Sequence, residues 1–169
     1  MTTDARSIYT GALRNTHAME QQGLRQMELQ VSRLERYPEY VALLNRHIQT
    51  TREQLKRLER ALEAVGTSPS TIKETVTGVA GSVGATVHGF FQDETLKNLY
   101  AGYAYQHEQI AAYRSLIAIA EAAGETAHVA DFRRTIEEEE QAARASESII
   151  EPVTRRYVEL TTRGDKADR

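Results

Sequence analysis

Glu20 and Glu139 stand in helical runs of apolar residues, at places where a leucine would be expected. Glu20 interrupts the run Leu13, His17, Leu24, Met27, Val31, Leu34, and Glu139 interrupts Phe132, Ile136, Ala143, Ser146, Ile150. Two further runs are broken in the same way. Thr51 and Arg52 fill the gap in Val41, Leu44, Ile48, Leu55, Leu58, Leu62, and Gln106 and Gln109 fall within Leu99, Tyr103, Ile110, Tyr113, Ile117. A buried charge is costly unless something pairs with it, so inward polar groups on four helices predict an interior site. The chemistry open to such a set is metal ligation or a hydrogen-bonded network. The candidate ligands are Glu20, Gln106, Gln109 and Glu139, with His17, His47 and His107 as further nitrogen donors. Arg52 competes with a metal, because a guanidinium stays protonated and pairs with carboxylates in place of a cation.

Each of these residues also has a plainer reading. Histidines near a polar layer are more often partly buried and hydrogen-bonded than ligating. The run Glu137 to Glu140 looks like an acidic patch, but a helix turns ~100° per residue, so most of these side chains must face solvent. Tyr100, Tyr103, Tyr105 and Tyr113 recur at helical spacing, which usually means core. No residue is assigned a catalytic role.

The elements that must position these groups are punctuated by only three prolines, Pro38, Pro69 and Pro152. The first helix is expected from about Ala5 to Arg36, its apolar positions three and four apart. Pro38 suits the first turn of the second helix, which should stop at Gly66. Residues 67–93 are rich in Ser, Thr and Gly. They read either as a flexible linker or as a long crossover with its own helix, and Ile72, Val76, Val79, Val83 and Val87 favour the crossover. A third helix is expected from Glu94 to Ala123, capped by Asp93 and stopped by Gly124. The fourth should run from Thr126 to about Ile150, with Pro152 opening a short fifth helix that holds Val153, Tyr157, Val158 and Leu160. The polar tail, 162–169, is expected to fray, and its Arg163-Gly164-Asp165 tripeptide is read as chance.

Composition narrows the function classes. A chain of 169 residues is long enough for one domain with a sizeable core, here taken as 1–169. A net charge of −3, with basic residues dispersed among acidic ones, argues against nucleic acid and against a basic membrane-binding face. The absence of cysteine excludes disulfides, thiolate metal sites and cysteine nucleophiles. The opening MTTDARSIYTG lacks the apolar core of a signal peptide, and no stretch reaches ~20 apolar residues. A cytoplasmic location is the expectation.

Several segments in order resemble the YciE/YciF-like branch of the ferritin-like superfamily, the YciE side more closely. They are HAMEQQ from His17, YPEY from Tyr37, HIQTTREQLKRLE from His47 and STIKETV from Ser70. DETLKN from Asp93, IAAYRSL from Ile110 and IEEEEQA from Ile136 complete the set. The resemblance implies an all-α fold: a ferritin-like four-helix bundle with a long crossover between its second and third helices. In metal-binding ferritin-like proteins two helices each supply a Glu and two supply Glu-x-x-His pairs. Here Glu20 matches the first-helix glutamate and Glu139, or its neighbour Glu138, the fourth-helix one. The second-helix carboxylate position falls on Gln49 or Thr50 and the following His on Arg52; the third-helix Glu-x-x-Glu positions read Gln106 and Gln109, and Ala142 stands where a ligand is wanted.

Two carboxylates are too few to balance and bridge two divalent ions, and a glutamine offers only a neutral amide oxygen. The resemblance therefore implies a stress-associated bundle with a degenerate polar site, holding at most one divalent ion, iron or manganese. The alternatives are a dimeric, non-catalytic scaffold with a metal-free network, Gly78, Gly81 and Gly84 allowing a partner helix close, and a di-iron oxidase or peroxidase. A homodimer is the expected assembly.

Overall fold

The computed structural model describes residues 4–67 and 94–168. Asp4 opens the first helix, α1 (Ala5–Val31), by accepting from the Ser7 amide at 2.7 Å, which satisfies one of the donors a helix start leaves unpaired. The helix ends five residues before Arg36, the expected stop. Residues 32–37 form turns instead, with Arg33, Leu34 and Tyr37 amides bonding carbonyls three residues back. Tyr37, immediately before Pro38, sits at φ −129° and ψ 67°, outside the helical region, as a residue before proline is expected to. Pro38 then opens α2 (Pro38–Ala64).

The helix stops read from glycines are as expected. Gly66 and Gly124 have φ of 81° and 71°, a region that costs a side-chain-bearing residue but not glycine. The amide beyond each bonds back to the last turn, Thr67 to Leu62 at 3.0 Å and Glu125 to Ala120 at 2.9 Å. Gly124 ends α3 (Glu94–Ala122), and a short 3₁₀ turn at Thr126–His128 leads into α4 (Val129–Thr162).

The fourth helix corrects the expectation of a fifth. Pro152 lies inside α4, which continues for ten residues beyond it. A mid-helix proline forfeits one hydrogen bond and crowds the carbonyl four residues back, about 3 kcal/mol in a helix interior. Burial of Val153 and Leu160 on the far side offsets this. The tail is also docked rather than frayed. Gly164 at φ 76° turns the chain, and the Asp165 amide returns to Leu160 at 2.9 Å. The buried Tyr37 hydroxyl then donates to the Ala167 carbonyl at 2.7 Å, and Asp168 accepts from the Thr95 amide at 2.9 Å, completing the start of α3. Asp93, the expected cap, lies outside the described residues, as does nearly all of the expected crossover.

Helix directions follow from two apolar clusters. One joins Tyr9 and Leu13, early in α1, to Leu58 and Leu62, late in α2, with Tyr113 and Leu116 of α3 and Phe132 of α4. The other joins Leu34, Tyr40 and Leu44 to Leu96 and Leu99 at the start of α3 and to Val153 and Leu160 late in α4. Neighbouring helices therefore run antiparallel, while α2 and α3 run parallel on a diagonal. Thr67 and Glu94 consequently lie at opposite ends of the bundle, the arrangement that a long crossover serves. Between the two apolar ends sits a polar layer.

Because α4 is one continuous helix, Pro152→Ala should stabilise the protein by about 1–3 kcal/mol. Urea unfolding midpoints measure this, and an unchanged or lower midpoint would show that the helix breaks there.

Candidate functional site

The polar layer is built from all four helices because each presents one polar turn at the same height. Glu20 on α1 and Glu139 on α4 are completely buried. From α2 come His47, Thr51 and Gln54, spaced four and three residues apart so that they share one face. From α3 come Gln106 and Gln109, and α4 adds Ser146. Of the expected ligands, Glu20, Gln106, Gln109, Glu139 and His47 are thus brought together.

Others are not. Arg52 is exposed and pairs with Glu28 at 2.8 Å, so it is not the partner of an inward carboxylate. The register explains this: Arg52 follows the inward Thr51 by one residue, about 100° around the helix. Gln49 is exposed and Thr50 bonds its own helix at the Arg46 carbonyl. His107 is exposed, edge-on to Tyr103. His17 is buried, but its Nε2 lies 3.5 Å from Glu59 at the bundle margin; burial pushes its pKa down, against the opposing pull of Glu59.

Two residues missed in the sequence matter more. Gln54, fully buried, donates to Glu139 Oε1 at 2.7 Å. Its signal was the interval of seven from the inward His47. Arg57 reaches Glu138 with two bonds of 2.7 Å and Thr135 with one of 3.0 Å. Burial would push the Glu138 carboxyl up, but the Arg57 contacts outweigh it and hold the group below its ordinary value. This buried fork, one helical turn from the layer, takes the role expected of Arg52, with Glu138 and not Glu139 as partner.

The two inner carboxylates are held differently. Glu139 receives His47 Nε2 at 3.1 Å from both of its oxygens, in addition to Gln54. With the proton on Nε2, His47 Nδ1 can accept from Gln106 Nε2 at 3.4 Å, and the same amide donates to Ser146 Oγ at 2.9 Å. Glu20 receives one donor, Gln109 Nε2 at 2.8 Å. The Tyr113 hydroxyl lies beside it without a hydrogen bond of good geometry. Complete burial, reinforced by the charge of Glu139, pushes the Glu20 carboxyl up to about 8. Glu20 therefore holds its proton well above the ordinary carboxyl range.

Several oxygens of the layer have no partner: Glu20 Oε1, Thr51 Oγ1, Gln54 Oε1, Gln106 Oε1 and Gln109 Oε1. Orphaned buried acceptors are uncommon and costly. All the layer's amide nitrogens are engaged, so the free amide oxygens of Gln54, Gln106 and Gln109 are acceptors, while the hydroxyls of Thr51 and Tyr113 and the proton of Glu20 can also donate. The donor set does not fit a two-metal centre: it has two carboxylates, and His47 and Gln54 already hold one of them. Among the described residues, no three His, Asp or Glu side chains converge as a ready cluster for a metal.

An antiparallel four-helix bundle with its second and third helices parallel, and with carboxylates and amides aimed inward from every helix, is a ferritin-like architecture. The chain belongs to the family described as "Domain of unknown function (DUF892)", which it matches over residues 4–159. It is similar to a protein of Xanthomonas campestris pv. campestris str. ATCC 33913 whose crystal structure superposes with a TM-score of 0.77, at 25% identity over 94% of this chain and 98% of that one. Among the described residues, no helix is long and apolar enough to cross a membrane.

Two predictions follow from the layer. A carboxyl whose pKa rises on folding from 4.5 to about 8 binds more protons folded than unfolded between those values. Its contribution is complete below 4.5 and falls by about 1.4 kcal/mol per pH unit until the folded value is passed. Glu20→Gln should remove that slope, so its stability advantage over the parent should grow from pH 5 to pH 8 in chelator-treated protein. Parallel stability–pH curves would contradict a buried acid at position 20. For the arginines, Arg52→Ala should change stability by less than about 0.5 kcal/mol, whereas Arg57→Ala should cost about 2–4 kcal/mol by stranding half-buried Glu138. Chemical denaturation of the two variants compares them directly.

Proposed function

We propose that this protein is a stress-associated, ferritin-like bundle of the YciE-like branch, whose interior site holds at most one divalent cation, weakly. The observation that carries the reading is the set of partnerless oxygens in the layer, namely Glu20 Oε1, Thr51 Oγ1, Gln54 Oε1, Gln106 Oε1 and Gln109 Oε1, with Gln109 bonded to Glu20. Oxygens without partners beside a carboxyl are the donor set a hard cation would use: it would displace the proton of Glu20, and the amide and hydroxyl oxygens of the layer would be available as further ligands. Oxygen donors of this kind suit manganese better than a softer metal, and iron is the other candidate. The site supplies too little negative charge for a second ion, so no di-iron oxidase or peroxidase chemistry is assigned.

A second reading, a metal-free scaffold working as a homodimer, is favoured by the direct pairs His47–Glu139 and Gln109–Glu20. Those bonds fill ligand positions with contacts between the residues themselves.

Metal analysis separates the two. Protein purified without chelator and dialysed against manganese or iron should retain close to one equivalent. It should be stabilised in proportion to the logarithm of free metal, with less retained as pH falls and Glu20 keeps its proton. Glu20→Gln should lose both effects. Metal content near zero after supplementation would sink the cation site and leave the scaffold.

A further inference from the structure

Next to the polar layer, toward the end of the bundle where α3 begins, lies a cavity of about 160 Å³. Its body is apolar, formed by Met27, Leu43, Leu44, Leu99 and the Tyr105 ring. Its floor is the layer itself, through His47, Gln106 and Ser146. It opens between α1 and α3, where the exposed Gln22, Gln26 and Ala101 stand at the rim beside Gly102. Glycine shapes the wall as well. A Cβ at Gly23 would sit 2.6 Å from the Tyr105 ring, so only glycine lets that ring lie flat on α1, where its hydroxyl donates to the Met19 carbonyl.

Three properties define what fits. The first is size: a dry apolar cavity of roughly 150 Å³ accommodates a benzene ring. The second is charge: none of the lining residues is Lys, Arg, Asp or Glu, so an ion entering would lose hydration with no opposite charge to compensate it. The third is hydrogen-bonding sense. Gln106 and Asn98 both line the cavity, both are more than nine-tenths buried, and each has a carbonyl oxygen with no partner. The floor's nitrogen donors are already committed, Gln106 Nε2 to Ser146 and His47 Nε2 to Glu139. The free amide oxygens are acceptors, so a molecule that satisfies them must bring a donor, and a hydroxyl can also accept from Ser146.

We propose that this cavity is a binding site for a small neutral phenol: one aromatic ring seated among Leu43, Leu44 and Leu99, its hydroxyl donating to the free oxygen of Gln106 or Asn98. The site is separate from the cation reading, since it needs neither a metal nor an ionised Glu20.

The test uses phenol, toluene and benzylammonium, titrated into the full-length, chelator-treated protein and followed by shifts of the Gly102 amide and the Gln106 and Asn98 side-chain amides. Phenol should saturate and bind at least about tenfold more tightly than toluene, the size of effect expected when a buried acceptor gains a donor. Benzylammonium should not bind. Gln106→Leu combined with Asn98→Leu should abolish the preference for phenol while toluene still enters. Gly102→Leu, at a position with open space around its Cβ, should block both with helicity unchanged. Glu20→Gln should bind phenol as the parent does, which keeps this outcome distinct from that of the metal measurement. The proposal is overturned if neither ring saturates, if phenol and toluene bind equally, or if the cation binds best.

Discussion

A carboxyl buried completely beside a second one is pushed toward its neutral form, and the interior of this bundle is arranged around that constraint. Glu139 is reached by two donors, His47 and Gln54. Glu20 takes the proton because it has one donor, complete burial and a negative neighbour. Hydrogen bonding is uneven across the layer, with more donors on Glu139 than on Glu20, while unmatched oxygens occur beside both.

The rest of the fold encloses this arrangement except where the cavity opens between α1 and α3. An apolar cluster caps the layer at each end, and the two are built from different parts of every helix. The end that contains the start of α3 is completed by the polar tail, which brings Ala167 to Tyr37 and Asp168 to the Thr95 amide. That docking ties the last residues to two helices distant in sequence. It also explains why Pro152 is tolerated: the helix must continue past it to carry Leu160 and the tail to their places.

Glu20 and Glu139 were legible because a charge inside an apolar run is conspicuous whatever the exact register. Gln106 and Gln109 were legible for the same reason. The second helix was misread because polar residues cluster there, so the gap in its run could be filled by Thr51 or by Arg52. Helical geometry separates the two by about 100°, enough to send Arg52 to Glu28 at the surface. Arg57 was overlooked because an arginine is usually read as surface, and its burial depends on Glu138 and Thr135 from another helix.

What the sequence determined by itself was local: the periodicity of four helices, the glycine stops at Gly66 and Gly124, the displacement forced by Pro38, and the inward carboxylates. Each follows from sterics or burial within a few residues. What only the tertiary structure decided was pairing: His47 with Glu139, Arg57 with Glu138, the tail with Tyr37, and the continuity of α4 through Pro152. Those outcomes depend on energies shared between helices, where a neighbour's donor or apolar face outweighs a local preference. A cavity lined by all four helices with unmatched acceptors at its floor belongs to the same category, since no one segment contains it.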